Sequence, residues 1–383
     1  MKLHGVERFV VDVTKTLVRI NTENPPGRER EAAGYVADLT AELGLRTTIQ
    51  EFAGNRANVV AILEAGEGDS IMLNSHLDTV PVGDIDSWPL NPFEAVERDG
   101  RIYGRGAADA KGPVASMLGA LKMLIESEAR LRGKVIFAAV ADEEAAGLGS
   151  VNLVKQGYAA NYVIIGEPTS LQLCRGNYGR IEFSLTVKGK PSHASLPQLG
   201  VNAINITADL IKIINTSWRD IYKNDKITAT VIEGGIKPNV VPDYCRLKID
   251  YREAARRGAE KVKKRLDKLI SGAVRRKYKK ASYTLSINNY APAVVTSRKS
   301  KLVRTASEVL KEARLKHNPV LFPATTDLSR ITQHINAEGI VLGPGGIETA
   351  HTNDEYVEIR ELTLASQIYA EIITKMLSGE KDE

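Results

Sequence analysis

Cysteine is almost absent from this 383-residue chain, which holds only Cys174 and Cys245. Two thiols cannot build a disulfide framework, and neither has a second cysteine or a histidine at metal-binding spacing, so both read as structural and suit a reducing compartment. No run of 18 apolar residues occurs, which excludes a transmembrane helix and leaves no membrane partner to expect. The stretch Met1–Glu7 lacks a basic start followed by an apolar segment, so no secretory leader is expected and the cytoplasm is the expected compartment. Neither short-period repeats nor low-complexity segments are visible. The chain does have 43% apolar and 26% charged residues, the composition of a globular protein, and a length that suits two domains.

Net charge is +5, and much of it sits in the runs Lys261–Arg265 and Arg275–Lys280. Val262, Leu266, Leu269 and Ile270 recur there at helical spacing, so the basic residues form the solvated face of a helix, and no nucleic-acid partner is expected.

The element pattern changes twice along the chain. Helical periodicity over 6–20 and 28–43 is followed by β-rich runs at 47–52, 58–63 and 70–74, then by a Gly/Pro-punctuated loop from Val80 to Gly106. A helix over 112–126 and strands at 134–140 and 162–165 continue an α/β rhythm, which predicts a mixed, largely parallel sheet with flanking helices. Between about 179 and 292 the order becomes β-α-β-β-α-β, the ferredoxin-like arrangement. The α/β rhythm then resumes, with helices over 299–315, 326–334 and 361–377 and strands over 319–322 and 339–342. The expectation is a catalytic domain in two parts, 1–178 and 293–383, interrupted by an inserted domain over 179–292.

Histidine is scarce too: six in all. His4, His317 and His334 lie in no motif. His76, in Asn74-Ser-His-Leu-Asp-Thr-Val-Pro81, follows an apolar strand; its imidazole suits a zinc-like metal, and Asp78 is placed to orient the ring. The run Arg101-Ile-Tyr-Gly-Arg-Gly-Ala-Ala-Asp-Ala-Lys-Gly-Pro113 presents one carboxylate, Asp109, at the end of a glycine-rich turn. A carboxylate there can bridge two cations, one per oxygen; the plainer alternative is a cap on the helix starting near Gly112. Asp142-Glu143-Glu144 follows the strand 134–140. Three adjacent carboxylates repel one another unless solvated or matched by cations, so the run is either a polar loop or a metal ligand beside a free base. Glu167, before Pro168, and His351, in Ala350-His-Thr-Asn-Asp-Glu355, complete the set. Together His76, Asp109, Glu144, Glu167 and His351 form a mixed His/carboxylate group at predicted strand ends. That donor chemistry suits two divalent ions, Zn2+ foremost, with Co2+ or Mn2+ also accommodated, and excludes soft thiolate sites.

In these motifs and their order the chain resembles the dinuclear-metal aminoacylase/carboxypeptidase family that includes acetylornithine deacetylase and succinyl-diaminopimelate desuccinylase. The resemblance runs from about residue 10 to 375 and extends to Gly189–Ile204 and Gly234–Pro242. It implies that His76 and Glu167 hold one metal, Glu144 and His351 the other, with Asp109 between them. It also implies Asp78 as the residue orienting His76 and Glu143 as general base. His193 and Asn239 would face substrate from an inserted lid that also carries the homodimer surface, and in this family such residues often serve the partner's active site. In Thr325-Thr-Asp-Leu-Ser-Arg330, Arg330 is the candidate grip for a substrate carboxylate, although Asp and Arg stand three apart here and two apart in the common family pattern. The implied activity is hydrolysis of an N-acyl amino acid, of the deacetylase or desuccinylase type, with a metallo-dipeptidase or carboxypeptidase as the alternative.

Overall fold

A computed structural model describes residues 3–52, 54–218 and 222–378. The chain divides into two compact units: residues 1–176, 296–322 and 326–383 form the first, and 177–295 with 323–325 the second.

The first unit is built on a mixed sheet whose strands run in the order Arg46–Phe52, Arg56–Glu64, Lys134–Val140, Ser70–His76, Tyr162–Ile165, Glu338–Val341 and Cys174–Asn177. The four in the middle, from Lys134–Val140 to Glu338–Val341, are mutually parallel. Every residue of Ser70–His76 is buried, as expected of a parallel strand covered on both faces. Helices Glu29–Glu42, Gly112–Glu126, Lys301–Glu312 and Ile359–Leu377 pack on the sheet through Val36, Leu118, Leu302 and Ile372, all fully buried. Pro113 occupies the first turn of the second of these, where its missing N–H costs nothing. That helix is buried almost without interruption from Gly112 to Leu121, so its sequence is apolar all round.

Register sets the site. His76 pairs with Val140, Asn74 with Ile165, and Ile165 with Val341, so the carboxyl ends of the parallel strands finish level with one another. Ligands collect at such ends in open α/β sheets. The segment Val80–Gly106, expected to be a loop, contains two short strands, Val96–Arg98 and Arg101–Tyr103. They form a small antiparallel sheet with Tyr356–Glu358. Three-residue strands carry too little alternation to be read from sequence. The helix Leu148–Lys155 and the strand Cys174–Asn177 were likewise not expected, and the helix expected over 326–334 is only Asp327–Ile331. Among the described residues no helix is long and apolar enough to cross a membrane.

The second unit is an antiparallel four-stranded sheet in the order Lys226–Gly234, Tyr244–Glu253, Gly179–Lys188, Ser282–Ala291, with helices Ala203–Trp218 and Ala259–Lys277. Strand Gly179–Lys188 alternates buried and half-buried positions, the period-two signature of a sheet with one covered face. Its core joins Phe183, Leu185, Leu247 and Ile249 to Trp218 and Leu266. Val262, Leu266 and Ile270 point into this core, while Lys261, Lys264, Arg265, Arg275 and Arg276 are exposed. Cys174 and Cys245 are both buried, and burial pushes the Cys174 thiol up to about 12.

Candidate metal centre

His76 ends its strand fully buried, and its Nδ1 lies 2.9 Å from the backbone carbonyl of Asp78. A carbonyl only accepts, so Nδ1 donates and Nε2 keeps its lone pair free for a ligand. Nε2 lies 3.0 Å from Asp109 Oδ1. On the other side of Asp109, Oδ2 lies 3.3 Å from His351 Nε2, which is also 2.9 Å from Glu144 Oε1. One carboxylate thus stands between two imidazoles. Ligand atoms of His76, Asp109 and Glu144 all fall within 4.8 Å of one another.

Local sequence explains how Asp109 is presented. Gly106 has φ +84°, and a Cβ there would fall 2.7 Å from Thr79 Cγ2, so only glycine fits this turn. The helix that follows begins at Gly112 with Lys111 at its cap and no side-chain capping bond; Asp109 faces the histidines and not the helix end. His351 and Asp142 hold left-handed backbone conformations, φ +63° and +71°, strained geometry of the kind that accumulates at functional sites.

Asp78 differs from expectation. Its carboxylate is 3.7 Å from His76 Nδ1, too far to hydrogen-bond it. The strand stops at His76, so residue 78 no longer follows the two-residue period that would put both side chains together. The backbone carbonyl of Asp78 orients the ring instead. Its carboxylate accepts from the backbone amides of Glu143 at 3.0 Å and Glu144 at 3.1 Å, and from Asn24 Nδ2 at 2.9 Å. Asp78 therefore holds the Glu143–Glu144 loop.

Burial and mutual repulsion raise most carboxylates of the cluster. Burial raises the Glu143 carboxyl well above its ordinary range, and the charges of Glu167, Asp327 and Glu144 add to that. Glu167 is raised in the same way, by burial and then by Asp109, and Glu144 likewise. Burial also lifts Asp327 to about 7, and its Oδ2 has no hydrogen-bond partner among the described residues. Against burial, the adjacent His351 and His76 imidazoles hold Asp109 below the usual carboxylate range. The bonds to Asp109 and Glu144 in turn raise His351 to about 10. Carboxylates crowded out of water with imidazole nitrogens among them are a donor set that divalent cations fit. His76, Asp109, Glu144, Glu167 and His351 are the residues that would hold them.

Arg330 lies in the short helix Asp327–Ile331, and a Cβ on Gly147 would meet its Cγ at 3.0 Å. The guanidinium stem is thus packed on the loop that follows Glu143 and Glu144. His193 and Asn239 belong to the second unit. Both are exposed, and they are neighbours: Ser192–His193 pairs with Val240–Val241, and the Ala194 amide donates to the Asn239 carbonyl at 2.9 Å. His193 Nδ1 lies 2.7 Å from Ser195 Oγ.

Several groups around the cluster were not singled out from sequence. Asn24 and Arg56 tie Asp78 to Asp142: Asn24 Nδ2 donates to Asp142 Oδ1 at 3.1 Å, and Arg56 donates to Asn24 Oδ1 at 2.7 Å and to Asp142. Lys111 is buried with Nζ donating to the Ile20 carbonyl at 2.8 Å, and burial lowers it to about 7. Glu355 bonds the amides of Ala108 and Asp109. Lys111, Asp142, Asp327 and Glu355 lie inside motifs that mark the site in the sequence; Asn24 and Arg56 lie in none.

An α/β sheet with this His/carboxylate group at its strand ends defines a metallohydrolase. The chain belongs to peptidase family M20/M25/M40, whose model matches residues 72–375. It is 28% identical to a probable succinyl-diaminopimelate desuccinylase of Staphylococcus epidermidis, over 92% of this chain and 93% of that one. It is also 28% identical to a succinyl-diaminopimelate desuccinylase of Rickettsia bellii, over 95% and 96%. Among solved structures, a tripeptidase from Staphylococcus aureus superposes with a TM-score of 0.81 at 24% identity, covering 97% of this chain and 98% of that one. A family M20 metallo-carboxypeptidase from Sulfolobus solfataricus gives 0.76 at 18% identity, over 95% and 98%. At those identities the structures establish the fold alone.

Proposed function

We propose that this protein is a dinuclear, metal-dependent amidohydrolase that cleaves the amide bond of an N-acyl amino acid. The observation that carries the reading is Asp109 lodged between His76 and His351, with its two oxygens at 3.0 and 3.3 Å from the two Nε2 atoms. A carboxylate so placed could be shared by two cations. Zn2+ is the first choice, with Co2+ or Mn2+ suited to the same donors. Divalent cations at such a cage supply Lewis-acid charge that polarises an amide carbonyl and makes water acidic near neutral pH.

The chain's own groups divide the remaining work. Glu143, placed by Asp78 through its backbone amide, takes the proton of the attacking water and passes it to the departing amide nitrogen. Arg330 grips the free carboxylate of the amino acid, bidentately if both oxygens are offered. His193 and Asn239 are the proposed donors toward the oxyanion and the substrate, in this copy or a second one. The curated relatives named desuccinylase favour an N-succinyl or N-acetyl substrate. The solved neighbours named tripeptidase and carboxypeptidase favour the second reading, an exopeptidase using the same groups.

Homodimerisation through residues 179–292 is part of the proposal. Strand Lys226–Gly234 is an outer strand of its sheet with Val231 and Ile232 exposed by 42% and 51%, an edge able to pair with a second copy. Two buried thiols suit a cytoplasmic setting. The test of function is a panel of N-acetyl, N-succinyl and dipeptide substrates, assayed after chelation and after reloading with Zn2+ or Co2+. Metal-restored kcat/KM highest on an N-acyl amino acid supports the reading, and preference for dipeptides replaces it with the exopeptidase.

A further inference from the structure

Glu355 is completely buried within reach of the cluster, yet both of its oxygens are committed elsewhere. Oε1 accepts from the backbone amides of Ala108 at 3.0 Å and Asp109 at 3.1 Å, and Oε2 accepts from Arg105 Nη1 at 2.6 Å. Its backbone carbonyl accepts from the Gly104 amide at 2.9 Å. Arg105 is itself only 2% exposed; its Nη1 also donates to the Thr352 carbonyl at 3.3 Å, and its guanidinium lies 4.8 Å over the Trp88 ring. Every one of these hydrogen bonds joins the loop 104–109, which carries Asp109, to the loop 351–355, which carries His351. The antiparallel pairing of Tyr356 with Tyr103 brings the loops alongside, but a strand of three residues leaves their tips unfixed. Glu355 and Arg105 bridge the two loops beyond that pairing.

We propose that Glu355, neutralised by Arg105, is a positioning residue that sets Asp109 at its distance from His351 and so shapes the cation site those two residues share. The inference rests on the two-metal reading of the cluster. A buried ion pair that only filled space would have no reason to spend an oxygen on the Asp109 amide. Groups that orient metal ligands in this way typically account for 10- to 100-fold in metal affinity. Glu355→Gln keeps the shape but sets an amide NH2 or a weaker acceptor against one of its partners. Glu355→Asp keeps the charge but, one methylene shorter, cannot span both the guanidinium and the two amides.

The test is a Zn2+ titration of the metal-free protein against a competing chelating indicator, paired with thermal melts taken with and without Zn2+. The expected result for Glu355→Gln is a 10- to 100-fold weaker second Zn2+ equivalent and a smaller zinc-induced rise in Tm, because that rise follows site affinity. A merely structural role would lower the metal-free and zinc-loaded Tm together and leave affinity alone. If Glu355→Gln does not fold, Glu355→Asp carries the same titration with the same expectation. Unchanged affinity for both equivalents in a folded variant overturns the inference while wild-type binding upholds the metal reading. Failure of both variants to fold makes the pair structural and also overturns it. A wild-type protein that binds no Zn2+ removes the underlying reading itself.

Discussion

Replacing Gly343 by alanine tests how tightly the fold holds Glu167. Gly343 follows strand Glu338–Val341 and lies against the backbone of Glu167, where an added Cβ would stand 2.5 Å from the carbonyl oxygen and 3.1 Å from the nitrogen. Ordinary contact needs roughly 1 Å more than the shorter of these. The space cannot come from a flexible side chain, because the obstacle is backbone. Sliding the loop aside is resisted too: the Gly343 amide donates to Thr169 Oγ1 at 3.0 Å, the Gly343 carbonyl accepts from Leu171 at 3.0 Å, and the Gly345 carbonyl accepts from Ser170 at 2.6 Å. On the far side Tyr369 Oη, 3.2 Å from the same Cβ, donates to the Leu342 carbonyl at 2.6 Å. Overpacking of this kind costs about 1–3 kcal/mol of stability. A displacement of about 1 Å in the backbone of a proposed ligand such as Glu167 would be worth about a hundredfold in rate. Gly343→Ala is therefore expected to remain folded, to melt a few degrees lower, and to lose roughly two orders of magnitude in kcat/KM with weakened metal retention. Circular-dichroism melting, metal content by elemental analysis and steady-state kinetics measure the three effects. Full activity and full metal content in a folded Gly343→Ala protein would refute the close packing of this loop on Glu167.

Glu143→Gln should keep the metal content of the wild type while turnover falls by about 10²–10⁴-fold, and near-normal turnover removes Glu143 as the base. Mixing His193→Ala with Glu143→Gln protein should restore part of the activity when mixed dimers form, if His193 serves the partner's site; no recovery in demonstrated mixed dimers assigns it to its own subunit. A further effect concerns Glu29, which burial first and Asp78 second raise to about 7 from an ordinary 4.5. A carboxyl raised on folding binds its proton more tightly in the folded protein, so its contribution to stability is complete below pH 4.5 and is lost as pH rises through about 7. Glu29→Gln should accordingly flatten the fall of Tm across that window, and an unchanged pH profile would refute the assignment.

The parts of the site that sequence alone exposes are those lying where a strong strand ends. Ser70–His76, Lys134–Val140 and Tyr162–Ile165 are apolar runs bounded by polar residues, so His76, Glu143, Glu144 and Glu167 announce themselves by position. Asp109 and His351 are legible through glycine-rich or mixed polar motifs, but their mutual distance is not. It is set by three-residue strands too short to show a period and by Glu355, whose partner Arg105 stands 250 residues earlier. The Asp78 geometry shows the same limit. A two-residue period places two side chains together only while the strand continues, and this one stops at His76.

That difference has a physical origin. Periodicity reports which residues face a core, because burial of many apolar atoms is distributed along an element and repeats with its geometry. The polar bonds that aim a ligand are single events between distant segments, with no repeat to read. The chain from Glu143 and Glu144 through Asp78 and Asn24 to Arg56 and Asp142 joins four separate stretches of sequence. Asn24 and Arg56 alone look like ordinary surface residues. The Asp78 carboxylate that holds the loop of the proposed base also accepts from Asn24, which helps to orient it, and Asn24 is in turn held by the guanidinium of Arg56. Placement of the base thus depends on a buried polar chain that ends in a charge pair, which is why a site legible as a list of ligands becomes a mechanism only when the residues behind them are counted.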